Sequence, residues 1–228
     1  MEVVAVFHSP FGSKFGIPRQ SGLVDSLPGE VRLEGRFRSP DALRGLEKFD
    51  YVWLIWGFSA NETGREFKAT VRPPRLGGNE RVGVFASRSP FRPNGLGLSC
   101  VRLAKVDFER CVLHVSGADL MDGTPVYDIK PYVPYCDSHP DAAAGFVDEN
   151  SWTELEVVVP EALASQLEAA FGASGLSALR QVLALDPRPR AAGDPSKVFA
   201  MSFMGCDVRF RVEGNVLTVL DACQVSCK

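Results

Sequence analysis

Four segments of the chain combine ionisable or amide side chains with proline and glycine. Such segments hold polar groups in fixed directions beside strand ends, where a rigid scaffold commonly places its binding residues. One segment alone has an ordinary explanation, because Asp122-Gly123 is a common hairpin turn whose carboxylate can cap that turn. Four together favour a binding site, and they are Lys14–Gln20, Val71–Gly78, Gly83–Asn94 and Asp119–Tyr132.

Positive charge is concentrated between Arg65 and Arg92. This stretch holds seven basic side chains, six of them arginine, against only Glu66 and Glu80. Arginine suits paired hydrogen bonds to phosphate or carboxylate groups. A charge run is commonly a solvated surface, but the prolines and glycines here present the guanidinium groups from stiff turns. We therefore expect an anionic partner, nucleic acid among others, although the net charge of −3 is not that of a general nucleic-acid-binding protein.

Metal and nucleophile chemistry have weaker support in the sequence. Asp119, Asp122 and Asp128 carry the oxygen ligands that Mg²⁺ prefers, but no phosphate-cradling or His-rich motif accompanies them, so we expect no metal. Neither the Gly-x-Ser-x-Gly motif of hydrolases nor the Gly-x-Gly-x-x-Gly motif of dinucleotide-binding folds occurs. The six cysteines form no Cys-x-x-Cys pair, which favours reduced thiols in the cytoplasm over zinc or disulfides.

The length and composition predict a soluble globular protein. The 228 residues are 45% hydrophobic and 23% charged, enough for one large domain or two small ones. The longest apolar run, Tyr51–Phe58, has eight residues, whereas crossing a bilayer takes about 20. Met1–Phe7 has no basic start, so we expect no secretory signal and no membrane partner.

Short apolar segments dominate residues 1–140 and predict seven strands. No long helical period intervenes, so we expect a mainly β fold whose first domain, residues 1–140, is an antiparallel β-barrel. The predicted strands are Val3–Phe7, Val31–Phe37, Tyr51–Phe58, Val82–Phe85, Cys100–Val106, Cys111–Val115 and Val126–Ile129.

A smaller α+β domain is predicted over residues 141–228. The first part has 18 basic and 16 acidic side chains, and this part has 7 and 12, so the net charge changes from +2 to −5. Its patterns predict helices at Pro160–Phe171 and Ser177–Leu185. They also predict strands at Glu154–Val159, Val198–Met204, Asp207–Val212 and Val216–Asp221.

At the four polar segments the sequence resembles the TrmO-like tRNA methyltransferases. The family signature contains a Pro-Arg-Gln loop, an Arg-Pro-Pro-Arg-Leu-Gly-Gly turn, an Arg-Ser-x-Phe-Arg-Pro-Asn loop and an Asp-Leu-x-Asp-Gly-Thr-Pro-x-x-Asp-Ile-Lys-Pro-Tyr stretch. These stand here at residues 18–20, 72–78, 88–94 and 119–132, and Asp186–Pro189 resembles the family's C-terminal motif. The resemblance implies methylation, from S-adenosylmethionine, of N6 of threonylcarbamoyladenosine at position 37 of tRNA, next to the anticodon. It also implies a non-Rossmann barrel and a homodimer.

Site residues follow from the resemblance, position by position. Where the family often has His-Gln after the third strand, this chain has Ser59-Ala60, whose backbone groups remain available to a ligand. The implied cofactor-binding residues are Pro18, Arg19, Gln20, Ser59, Ala60, Arg88, Leu98, Asp119, Leu120, Met121 and Asp122. The residues expected to bind substrate are Arg72, Arg75, Arg92 and Asn94.

The chemistry of the modified base suggests further candidates. A carbamoyl group withdraws the lone pair of N6 and makes its N–H more acidic, so Asp128 or Asp122 can act as proton acceptor. Lys130 and Tyr132 can orient the carbamoyl group, which completes a predicted catalytic set of Asp128, Lys130 and Tyr132. Positioning without any general base fits the sequence equally well.

Two other functions stay open at this stage. One is a non-catalytic RNA-binding barrel, for which stacking aromatic side chains between basic residues are the usual sign. The other is a Mg²⁺-dependent phosphohydrolase that uses Asp119, Asp122 and Asp128.

Overall fold

The structure is a computed structural model, and it describes residues 1–61, 66–72, 81–149, 153–189 and 194–224. Within these ranges it contains twelve strands, three α-helices and four short 3₁₀ turns. The 3₁₀ turns are Gly35–Phe37, Leu46–Lys48, Val84–Ala86 and Gly145–Val147, and the two short helices are α1 (Pro40–Leu43) and α2 (Pro134–Asp137).

Six antiparallel strands close into a barrel, which confirms the predicted mainly β fold. Their order around the barrel is β1-β2-β7-β6-β3-β8. Inward-facing apolar side chains such as Phe7, Leu54 and Leu113 are fully buried and form the barrel core. The bounds are β1 (Ala5–His8), β2 (Pro28–Leu33), β3 (Tyr51–Gly57), β6 (Leu96–Asp107), β7 (Val112–Ser116) and β8 (Thr124–Pro131).

One predicted barrel strand lies elsewhere. The stretch Val82–Phe85 was expected in the barrel, but β5 (Val82–Gly83) pairs with β4 (Thr70–Val71) in a separate two-stranded ladder. The 3₁₀ turn Val84–Ala86 follows it directly. Only Val82 and Gly83 are extended before the backbone turns at Val84, so the run is too short to form a barrel strand.

The predicted second strand also ends early. β2 stops at Leu33, and the residues that follow turn at Gly35, whose φ of +49° is incompatible with a strand. The 3₁₀ turn Gly35–Phe37 therefore replaces the last three of the seven residues predicted as a strand.

The C-terminal part forms a four-stranded sheet covered by one long helix. The sheet order is β10-β11-β12-β9, with β9 parallel to β12 and the other pairs antiparallel. The helix α3 (Glu161–Ala184) is interrupted at Gly172, where φ is 73° and ψ is 168°, between the two helices predicted from the sequence. The strands are β9 (Glu156–Val158), β10 (Phe199–Phe203), β11 (Cys206–Glu213) and β12 (Val216–Gln224).

The loop between β1 and β2, residues 9–27, leaves the barrel and packs into the C-terminal core. Phe11, Val24 and Leu27 are at most 2% exposed and belong to the hydrophobic cluster formed by α3 and the four-stranded sheet. The predicted boundary near residue 140 stays a prediction, since this loop belongs to the first part by sequence and to the second by packing.

Among the described residues, no helix combines the length and the apolar character that spanning a membrane requires.

Candidate functional site

One end of the barrel carries a buried polar network. Ser99, on β6, is 1% exposed and faces inward between the buried residues Gly97 and Val101. Its hydroxyl donates to Oδ1 of Asp119 at 2.6 Å and accepts a hydrogen bond from Nε1–H of Trp56 at 2.9 Å. Strands β3 and β6 therefore hold a carboxylate in place through two side-chain hydrogen bonds.

Glycine at position 97 makes this network possible. A Cβ there would lie 2.3 Å from the Trp56 ring, too close for any side chain. The indole therefore lies against the bare backbone of β6, and its N–H reaches Ser99.

The environment of Asp119 is unfavourable for its charge. Burial raises the pKa of Asp119, and hydrogen bonds from Ser99 and from the backbone N–H of Ser21 oppose that rise together with the charge of Arg88. A carboxylate in such surroundings gains from a cationic ligand, and groups of this kind cluster at functional sites.

Two other predicted cofactor residues meet at the same place. The Oε1 of Gln20 accepts a hydrogen bond from Nη1 of Arg88. Pro18 is buried, whereas Arg19 is exposed. The β1–β2 loop, the turn after β5 and the β7–β8 loop thus bring Gln20, Arg88 and Asp119 together, as the sequence predicted for a single site.

This arrangement fits a ligand that carries both an ammonium and a carboxylate group. The Asp119 carboxylate offers a partner for the cation, and the Arg88 guanidinium offers one for the anion. Both side chains belong to rigid turns, and S-adenosylmethionine has these two groups in its amino-acid part.

Arg92 supports the turn that carries Arg88. Its Nη1 donates to the backbone carbonyls of Ser87 at 2.6 Å and of Val84 at 3.3 Å. Arg92 is half-buried, and Asn94, two residues later, is exposed.

Asn61 ties two loops of the site together, a role the sequence did not reveal. Its side-chain nitrogen donates to the carbonyl of Pro90 at 3.1 Å, and its Oδ1 accepts from Nζ of Lys14 at 2.8 Å. Asn61 directly follows the exposed Ser59 and Ala60. These two predicted cofactor residues are therefore adjacent to a residue held by two side-chain hydrogen bonds.

Asp122 anchors the start of the β1–β2 loop. Its carboxylate accepts from the backbone N–H of Ser9 and lies 3.1 Å from Nδ1 of His8, and its own N–H donates to the carbonyl of Phe11 at 2.9 Å. The neighbouring Leu120 is 1% exposed and packs in the barrel core, so only its backbone faces the site. Met121 is half-buried.

Leu98 lies on the outside of the barrel. It is 60% exposed between the inward-facing Gly97 and Ser99. Strand alternation therefore puts Leu98 and Ser99 on opposite faces of β6.

The predicted catalytic residues are spread along β8. Asp128 and Lys130 are exposed, with 3.8 Å between their charged atoms. Tyr132 donates its backbone N–H to the carbonyl of Tyr51, at the opposite end of β3 from Gly57. In the register of the sheet, Ile129 pairs with Leu54 and Leu54 pairs with Ser99. Asp128 and Lys130 therefore lie two strands from Ser99, with their side chains on the exposed face of β8.

Tyr127 belongs to this stretch, and its place in the sequence does not mark it as a site residue. Trp56 pairs with Val126 and Ile55 pairs with Asp128, so Tyr127 is an extra residue in β8. A Cβ on Gly57 would lie 2.6 Å from the Tyr127 hydroxyl oxygen, which places this phenol over the end of β3 that enters the site.

The basic segment is partly described. Arg72 is exposed, as are Phe85 at 74% and Phe91 at 51%, and these two rings flank Arg88 in the sequence. Arg75 lies outside the described residues. No group of three or more His, Cys, Asp or Glu side chains in the described ranges is arranged to hold a metal ion.

Comparisons with known proteins cover nearly the whole chain. Residues 6–138 match the family model of the tRNA-methyltransferase O N-terminal domain, and residues 153–224 match the model of the TrmO C-terminal domain. The Escherichia coli tRNA (adenine(37)-N6)-methyltransferase is 42% identical over 218 residues, which cover 92% of both chains. The human protein of the same name is 40% identical over 151 residues, 65% of this chain and 33% of its own length.

A solved structure has the same fold. The crystal structure of TrmO from Pseudomonas aeruginosa superposes with a TM-score of 0.79 at 33% identity and covers 97% of this chain and 96% of its own. A putative S-adenosylmethionine-dependent methyltransferase of the same species is 39% identical over 96% of this chain and 95% of its own length.

Proposed function

Since this chain belongs to the TrmO family of tRNA methyltransferases, we propose that it methylates N6 of threonylcarbamoyladenosine at position 37 of tRNA. Membership of this family makes the chain an S-adenosylmethionine-dependent methyltransferase that acts on N6 of adenosine 37 of tRNA. The threonylcarbamoyl group is the finer part of the proposal. The observation that carries the proposed methyl transfer is that Asp119, Arg88 and Gln20 lie together at the polar end of the barrel.

S-adenosylmethionine, when bound, supplies an electrophilic methyl group on a sulfonium. Asp119 would hold its ammonium group and Arg88 its carboxylate. Gln20 and Ser99 fix the directions of these two side chains. The main contribution of the protein to the rate is then the position of N6 in line with the methyl group.

The substrate would approach over the exposed basic turns. Arg72, Arg75 and Asn94 would contact tRNA phosphates and sugars, and the exposed Phe85 and Phe91 would stack on bases. Arg92 uses Nη1 for its own turn, and we assign its remaining nitrogens to the threonyl carboxylate.

Asp128 is the general-base candidate that lies closest to the site along β8. Its side chain is exposed and lies 3.8 Å from the Lys130 ammonium, so the proposal rests on the positioning of N6 and treats proton abstraction by Asp128 as optional. Lys130 and Tyr132 keep their proposed role of orienting the carbamoyl group. The homodimer and the cytoplasmic location are also part of this proposal.

The deciding experiment is mass spectrometry of tRNA nucleosides after incubation with labelled S-adenosylmethionine. We expect one added methyl group on threonylcarbamoyladenosine and little or none on the matching unmodified transcript. A site built around polar groups rejects a substrate that lacks their partners. Arg92→Ala should narrow the difference between the initial rates on the two RNAs.

The other outcomes separate the alternatives. Equal rates on the two RNAs would refute threonylcarbamoyl specificity and leave methylation intact. Binding of tRNA without methylation of either RNA would favour a non-catalytic RNA-binding barrel, and phosphate release that requires Mg²⁺ would favour a phosphohydrolase.

A further inference from the structure

We propose that the C-terminal sheet positions the cofactor loop of the barrel, with Phe15 as the positioning residue that connects the two. This inference rests on the proposed role of Pro18–Gln20 in binding S-adenosylmethionine. It assigns a function to the C-terminal part, which contributes none of the predicted cofactor residues.

The first half of the β1–β2 loop is attached to the C-terminal sheet. The N–H of Met204, just after β10, donates to the carbonyl of Pro10 at 2.8 Å. Phe11 is fully buried and meets the Phe203 ring edge-to-face at a centroid distance of 5.5 Å. The loop therefore enters the C-terminal core within three residues of leaving β1.

Phe15 continues this contact toward the site. Its ring lies nearly parallel to those of Phe199 and Phe210, each at a centroid distance of 6.4 Å. At the next position, a Cβ on Gly16 would lie 2.0 Å from the sulfur of Met201. Gly16 has a φ of +95°, so both the backbone and the close approach to β10 require glycine here.

The backbone of the second half of the loop is attached to the barrel, although its Val24 and Leu27 side chains pack in the C-terminal core. The N–H of Gly22 donates to the carbonyl of Gly117 at 2.8 Å, and the N–H of Gly117 donates to the carbonyl of Leu27 at 2.9 Å. Pro18, Arg19 and Gln20 thus lie between a stretch held by the C-terminal sheet and a stretch held by the barrel.

This arrangement explains how a loop of 19 residues can present a precise contact. Ordering a loop at the moment of binding costs affinity, and a loop already held in its bound conformation avoids that cost. The Phe199 and Phe210 rings contact Phe15, and five residues further along the backbone Gln20 accepts the hydrogen bond from Arg88.

The test compares two truncations in the same core, with S-adenosylmethionine affinity measured by calorimetry on the full chain. Phe15→Ala removes the connecting ring. Leu217→Ala removes a fully buried side chain from β12, which β11 separates from β10. We expect Phe15→Ala to raise the dissociation constant about tenfold or more and Leu217→Ala to change it less than about twofold, because only the first releases the loop.

Phe15→Leu keeps most of the side-chain volume and covers the case in which Phe15→Ala does not fold. It should fall between the parent and Phe15→Ala in affinity. Amide hydrogen exchange of residues 15–20, measured without ligand, should be faster in the Phe15 variants than in Leu217→Ala.

Parent-like affinity in a folded Phe15 variant would overturn the inference, and so would an equal loss in Leu217→Ala. A parent protein that binds no S-adenosylmethionine would instead refute the proposed function, so the two failures are distinguishable.

Discussion

Near each end of the barrel, a carboxylate is linked by hydrogen bonds to a tryptophan of β3. The pKa values of the two carboxyl groups shift in opposite directions. At the polar end, Asp119 is reached from Trp56 through Ser99, and burial raises its pKa. Near the other end, Asp137 accepts from the backbone N–H of Val133 at 2.8 Å and from Nε1–H of Trp53 at 3.0 Å, and these hydrogen bonds lower its pKa.

The difference separates a structural carboxylate from a functional one. The hydrogen bonds to Asp137 already stabilise its ionised form, so it ties α2 to β3 with no need of a ligand. At Asp119 the hydrogen bonds and the charge of Arg88 do not offset the effect of burial, and a bound cation would stabilise the ionised form further. A perturbed pKa alone would not distinguish the two, but its direction does.

The largest expected effect follows from removing the charge of Asp119. Asp119→Asn should weaken S-adenosylmethionine binding about 10- to 100-fold, because a hydrogen bond to a charged group contributes about 1.5–3 kcal/mol. Calorimetry measures this, and Asp137→Asn serves as the matched control with parent-like affinity. Equal losses in both variants would remove the distinction between the two ends.

The same variant makes a prediction about stability. Because the pKa of Asp119 is raised in the folded protein, ionisation costs folding free energy as the pH rises through that pKa. Asp119→Asn should therefore melt no lower than the parent at neutral pH.

A smaller effect is expected from Ser99→Ala. Loss of the hydroxyl removes a hydrogen bond that lowers the pKa of Asp119, so that pKa should rise further. The affinity for S-adenosylmethionine should then begin to fall at a higher pH as the solution is acidified. At neutral pH we expect a loss of about three- to tenfold, the effect of one hydrogen bond.

Dissociation constants measured between pH 5 and 8 check this prediction. Trp56→Phe should shift the pH dependence of the dissociation constant in the same direction but by less, because Trp56 acts on Asp119 only through Ser99. Superimposable curves for the parent and Ser99→Ala would show that the hydroxyl does not tune Asp119.

The smallest effect is expected at the opposite end. The lowered pKa of Asp137 gives stability that is fully present above the usual pKa of an aspartate and is lost as the pH falls through the folded-state value. Asp137→Asn should lower the melting temperature slightly at neutral pH, and the difference from the parent should shrink in acid. A difference that stays constant down to low pH would contradict this assignment.

The sequence predicted the barrel well because alternation and turn residues are local signals. It also contained an unused signal for Ser99, which alternates with Val101 and Leu103 on the inward face of β6. The hydrogen bond to Asp119, 20 residues away, depends on how β6 and the β7–β8 loop meet in three dimensions.

The path of the β1–β2 loop was beyond the reach of the sequence for a similar reason. Phe11 and Phe15 have the appearance of ordinary loop residues, and their partners Phe203, Phe199 and Phe210 lie in the last quarter of the chain. The predicted catalytic set of Asp128, Lys130 and Tyr132 stays a prediction, because its motif continues from the site along the whole of β8 and the sequence does not show which part of that strand the substrate meets.

The crossing of the β1–β2 loop has a consequence during synthesis on the ribosome. Phe11, Phe15 and Leu27 leave the ribosome long before the strands that bury them, and at about 5–20 residues per second the delay is about 10–40 s. Throughout that interval a nascent barrel displays aromatic side chains with no place to pack. A chain that terminates before the C-terminal sheet is made therefore exposes these apolar side chains and is prone to aggregation.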